Sequence, residues 1–196
     1  MYKKQMVFEK ITCMFALISA AVLFIYSLGM MTDLYDSLYL TMTNPNDLSQ
    51  TSVPGSIIYY DMQPFNKSLL HAAIALILIA CLLFVTNNHV RRKYYLGNYV
   101  SSILYAVAAV GISIWSHIQI AGFKNQYLTT IDFDALKEFA ELWSLKYNDS
   151  TFFLDLHYVP MILCIVSAAM VLYNLYWKKN MMDHEKAALA ATGEAA

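Results

Sequence analysis

The sequence predicts an all-α membrane protein, a four-transmembrane-helix bundle with two long extracytoplasmic loops, the second containing an amphipathic helix. Three observations predict this. Four apolar runs contain no Lys, Arg, Asp or Glu, and each is close to the roughly 20 residues needed to cross a bilayer. Only 14% of the chain is charged and 59% is hydrophobic, with a mean hydropathy of +0.45, whereas soluble proteins carry roughly 25% charged residues. The basic residues also sort onto one side of the four runs.

The spans cover residues 11–31, 69–85, 99–120 and 156–177, within a single domain of residues 1–196. The outer loops are residues 32–68 and 121–155, and the tail is 178–196. Nine basic residues, namely Lys3, Lys4, Lys10, Arg91, Arg92, Lys93, Lys178, Lys179 and Lys186, flank one side; Lys67, Lys124, Lys137 and Lys146 flank the other. The positive-inside rule then puts both termini in the cytoplasm. Ten of the 14 acidic residues fall on the outer side. Tyrosines and tryptophans such as Tyr99, Trp115, Tyr158, Tyr176 and Trp177 sit at the expected boundaries.

Basic residues precede the first run, as in a signal peptide, but its apolar stretch continues through Val22 to Met31 and is too long for a cleaved core. Beyond it, Leu34, Tyr35, Leu38 and Tyr39 repeat at four-residue spacing. The first helix is therefore expected to continue outward, or to turn along the surface, until Asn44-Pro45-Asn46 stops it. A turn at Val53-Pro54-Gly55 follows, then Ser56 to Met62 as a short strand or extended lid. The inner connection, residues 86–98, is short and basic and reads as a topological anchor.

In the second outer loop Asp132 is placed as an N-cap, with Ile131 and Leu136 as a hydrophobic staple. Phe133, Leu136, Phe139, Ala140, Trp143 and Tyr147 share one face, predicting an amphipathic helix over residues 133–147. That face meets either the first outer loop, the membrane interface or a partner subunit. The tail is expected to extend the fourth helix towards Gly193.

Cys13, Cys81 and Cys164 lie in apolar runs and the outer loops contain no cysteine, which excludes an outward disulfide framework and a CxxC dithiol. The missing loop disulfides point to a bacterial cytoplasmic membrane. There is no basic domain for nucleic acid. No Walker loop, GxSxG or HExxH occurs, and no carboxylate lies in the middle of a span, so neither an enzyme nor a secondary transporter is expected. Asn66-Lys67-Ser68 and Asn148-Asp149-Ser150 match the glycosylation pattern, Asn66 lying close to the second span.

His71, His117 and His157 each fall near the outer end of a span. Three imidazoles there could hold a transition metal or ligate a haem; the blander reading is interfacial histidines satisfied by hydrogen bonds. Small residues four apart, Ala16 and Ala20, Ser102 and Ala106, Ala109 and Ser113, with Ser167-Ala168-Ala169, suit close helix packing.

Three functional readings follow. The leading one is a non-catalytic accessory or scaffold subunit of a larger membrane complex, for instance a transporter, with no cofactor. It lies in the lipid bilayer and contacts other membrane-protein subunits through its helix faces and its acidic outer loops, the loop contacts being at Tyr59, Tyr60, Phe133, Leu136, Phe139, Trp143 and Tyr147. The second is a small metal- or haem-binding redox protein using the three histidines. The third is an outward-facing sensor of a small ligand lined by Tyr59, Tyr60 and Trp143.

Overall fold

In the computed structural model, residues 2–43, 47, 50–88 and 96–191 are described, and all regular structure among them is helical. Four helices are long and apolar enough to cross a membrane: α1 (Tyr2–Thr41), α3 (Gln63–Asn88), α4 (Leu96–Thr130) and α7 (Tyr158–Ala191). Three short helices complete the chain: α2 (Ile58–Asp61), α5 (Phe133–Leu142) and α6 (Phe152–Asp155).

The expected spans are the cores of longer helices. At 1.5 Å per residue, the 35 residues of α4 extend about 52 Å, well beyond a hydrocarbon core of about 30 Å. The expected outward extension of the first helix is present as far as Thr41. Its expected stop at Asn44-Pro45-Asn46 lies outside the described residues, as does most of the basic inner connection.

The helices form a ring in which α1 packs on α3 and α7, and α4 packs on the same two. The buried positions explain the packing. On α1 they include Glu9, Cys13, Ala16, Ala20, Leu23, Ser27, Met30 and Leu34; just before and along α7 they run His157, then Cys164, Ser167, Val171, Asn174, Lys178. On α3 Leu69, Ala73, Leu76, Ala80 and Leu83 alternate three and four apart, and α4 repeats the pattern through Ser102, Tyr105 and Ala109. A three-four alternation is the seam of left-handed helix packing. Ala16, Ala20, Ser102, Ala106, Ala109, Ser113, Ser167 and Ala168 are all buried inside the ring; Ala169 faces out. Large aliphatic side chains such as Ile11, Ile18, Ile25, Leu78 and Val107 occupy the outside.

Tyr105 fills the middle of the ring. Its hydroxyl donates to the Ala16 carbonyl at 3.1 Å and lies 2.7 Å from Ser167 Oγ, joining α4, α1 and α7. At the end of the ring holding both termini, α1 and α7 share a buried polar cluster. Lys178 Nζ donates to Glu9 at 2.9 Å, and Gln5 Nε2 donates to Glu9 at 3.3 Å and to Asn174 at 3.0 Å. Beside it, Asn98 donates to Asn87, Asn87 donates to Cys13 Sγ at 3.0 Å, and Thr86 meets Ser101 at 2.8 Å.

Two expectations about the loops are corrected. Ser56 to Met62 is no strand or extended lid: Ile58–Asp61 is a turn of helix, with Ile58 and Met62 buried against the ring. The amphipathic helix starts as expected, with Asp132 Oδ1 accepting from the backbone of Asp134 and Ala135 at 3.1 and 3.0 Å. It ends at Leu142 rather than at residue 147. Ser144 adopts a left-handed backbone (φ 54°), while Ser144 N–H bonds to Glu141 O and Leu145 N–H to Ala140 O. That pair of bonds is a Schellman cap, which closes a helix even where the apolar spacing continues.

Candidate functional site

The end of the ring opposite the termini carries the structure's most elaborate part, a cap built from residues 50–62 and 121–155. α1 projects into it as a post, its buried Leu34 and Leu38 continuing the seam. The segment after α1 folds back: Ser52 N–H and Oγ both donate to the Thr41 carbonyl, at 2.6 and 2.9 Å. Gly55 then presses on the end of α4. It has φ +81°, and a Cβ there would lie 1.9 Å from the Thr130 carbonyl oxygen, so only glycine fits. Next to it Asp132 N–H donates to the Pro54 carbonyl at 3.1 Å, tying the first outer segment to the start of α5.

This arrangement sorts the apolar residues of the cap. Tyr59 is buried, its ring 6.4 Å from that of Tyr127, which in turn meets Phe133 at 5.4 Å. Phe133 and Leu136 pack against the core, and Phe139 is half-buried. Leu136, Phe139 and Tyr147 line a small cavity of about 80 Å³ facing Ser37, Leu40 and Thr41 of α1. Most of the amphipathic face thus meets the chain's own first outer segment. The Tyr147 hydroxyl donates to Asp149 at 3.3 Å, and desolvation, then the Asp149 carboxylate, push its pKa above the ordinary phenol value. Two of the predicted contact residues, Trp143 and Tyr60, remain open, and Leu142 is open beside Trp143. Leu142 and Trp143 at the end of α5 are 78% and 64% exposed, and Tyr60 stands at the edge of a separate groove.

At the base of the cap, α6 wedges onto α1. The Phe153 ring lies 3.1 Å from where a Gly29 Cβ would be, and Tyr26 OH donates to the Phe153 carbonyl at 3.2 Å. Asp155 ends α6, paired with Lys124 of α4 at 2.5 Å and accepting from Thr151 Oγ1 at 2.8 Å.

Of the three histidines, two come together. His117 Nδ1 and His157 Nε2 are 2.9 Å apart with their rings stacked, and His157 Nδ1 contacts the Leu154 carbonyl. A carbonyl only accepts, so His157 Nδ1 carries a proton, Nε2 is the acceptor, and His117 Nδ1 donates to it. That tautomer chain leaves His117 Nε2 as the one ring nitrogen of the pair with a free lone pair. His71 lies exposed on α3, and among the described residues no group of three or more His, Cys, Asp or Glu side chains is placed to hold a metal. As arranged, the pair ties α4 to the start of α7.

Asn66 is fully buried and its amide donates to the Met30 carbonyl, a position no glycan can reach. The exposed Asn148 closes a local turn by accepting from Ser150 N–H at 3.0 Å.

Sequence reasoning missed the Gln5–Glu9–Asn174–Lys178 cluster. The signal was available in two four-residue pairs, Gln5 with Glu9 and Asn174 with Lys178, at the same ends of the first and last spans. It also missed Tyr105, one aromatic among many in a span. No family model matches the chain, and neither a curated protein nor a solved structure is found similar to it.

Proposed function

We propose that this chain is a non-catalytic accessory subunit of a larger assembly in a bacterial cytoplasmic membrane. Both termini lie in the cytoplasm and the cap lies outside. The observation that carries the reading is the hook at the end of α5. Leu142 and Trp143 stand 78% and 64% exposed, on an element held by an N-cap, a Schellman cap and the press of Gly55 on α4. An aromatic anchor such as Trp143 on a rigid support is the composition of a protein-interface hot spot, and Leu142 widens the apolar patch around it.

The interior supports the same reading. Polar side chains within the ring bond to one another and to backbone carbonyls of the ring, and the small residues pack inside it. The outward faces of the four long helices are aliphatic and suited to lipid. Partner contact is thereby left to the cap. Solubilising native membranes in mild detergent and identifying what co-purifies tests this. A specific membrane-protein partner is expected with the wild-type chain, and its recovery should fall at least about tenfold for Leu142→Ser/Trp143→Ser, since hot-spot truncations cost about 2 kcal/mol or more. A lone chain from native membranes, or undiminished recovery with the double variant, contradicts it.

A further inference from the structure

Between the projecting end of α1 and the corner where α2 meets α3 lies an open groove of about 880 Å³. That is near the upper end of the volumes that hold small molecules. Its lining is mostly apolar, from Met31 at one end past the exposed rings of Tyr35 and Tyr60. Two charges share its rim, Asp61 and Lys67. Neither belongs to an ion pair among the described residues, where the pairs are Lys124–Asp155 and Lys178–Glu9.

The groove's level in the fold is set by the sequence. The charge-free run of α1 ends at Met31, with Asp33 the next charge; that of α3 begins just after Lys67. The groove therefore straddles the point where both helices change from apolar to charged, the depth of lipid head groups.

We propose that this groove holds one membrane phospholipid by a zwitterionic head bearing a primary ammonium, the phosphatidylethanolamine class. Lys67 takes the phosphate and Asp61 the ammonium, while the acyl chains descend past Met31 along the outer faces of α1 and α3. Asp61 at the end of α2 and Lys67 in the first turns of α3 line the same groove, so the phosphate and the ammonium of one head, joined by a two-carbon linker, each reach one side chain. The Tyr35 and Tyr60 phenols supply hydrogen-bond donors beside the head. An anionic head offers Asp61 no cation. A choline head offers it a cation with no N–H to donate.

Native mass spectrometry of the full chain, exchanged from detergent into nanodiscs of phosphatidylethanolamine, phosphatidylcholine or phosphatidylglycerol, tests this. One phosphatidylethanolamine should be retained, at least about tenfold over either other lipid, because only its head gives both Asp61 and Lys67 a charge-assisted hydrogen bond. Asp61→Asn and Lys67→Gln should each abolish that preference. Thr32→Trp, on the exposed wall of the groove, should block retention of all three while lipid-free melting stays unchanged. Equal retention of the three lipids, or a preference that survives both Asp61→Asn and Lys67→Gln, overturns the proposal.

Discussion

Among the described residues Glu9 and Lys178 are the more heavily buried ion pair, their side chains 10% and 9% exposed at a separation of 2.9 Å. Gln5 gives the carboxylate a second donor, and Asn174 holds Gln5 in turn. Removing one member strands a buried charge, which costs about 3–5 kcal/mol, whereas replacing both with apolar residues of like volume is often neutral. Lys178→Met alone should therefore lower the melting temperature in detergent sharply, and Glu9→Leu/Lys178→Met should restore most of it. Losses that simply add in the double variant would contradict the coupling. Lys178 was visible in the sequence, but as a topological anchor. A charge just outside an apolar run looks the same whether it faces lipid head groups or a partner helix, and only the facing helix decides.

For the cap, the deciding element contact is between the turn before α2 and the end of α4. Gly55→Ala places a methyl 1.9 Å from the Thr130 oxygen on a backbone with φ +81°. The left-handed backbone alone costs about 1–2 kcal/mol in an L-residue, and the overlap adds to it. Gly55→Ala should lower the melting temperature and open the 121–155 segment to protease. Gly111→Ala, which meets nothing within 4 Å, should do neither; equal protease resistance in the two variants would remove the clamp from the account. The start of α5 was legible because an N-cap and a staple are local signals. Its end was not, since Trp143 and Tyr147 continue the apolar spacing and the break rests on Ser144, a residue with no strong left-handed preference. Residues 56–62 misled for a related reason: Ile57-Ile58-Tyr59-Tyr60 has β propensity, and burial of Ile58 and Met62 on the ring overrides it.

Across the whole molecule, four charge-free runs were enough to place the long helices, because crossing hydrocarbon demands length and apolarity and little else. The inward faces were only partly legible. In lipid both faces of a helix are apolar, so hydropathy carries no phase; the phase is carried by small and polar residues, which turn inward while large aliphatics turn out. The alanine and serine pairs gave that phase on α1 and α4. The paired histidines were legible as neighbours at one level, whereas their direct bond depends on how α4 and α7 lie side by side. The groove had no signature, since it forms only where three helix ends meet.

The central claim is that the cap and the two termini lie on opposite sides of a membrane crossed four times. Single cysteines at Lys4→Cys, Lys137→Cys and Lys186→Cys, in a chain whose own three cysteines are replaced by serine or alanine, test it with a membrane-impermeant maleimide. In intact cells the account predicts labelling at Lys137→Cys alone, with the other two labelled only after the membrane is opened. Labelling of position 4 or 186 in intact cells, or protection of position 137, would contradict it.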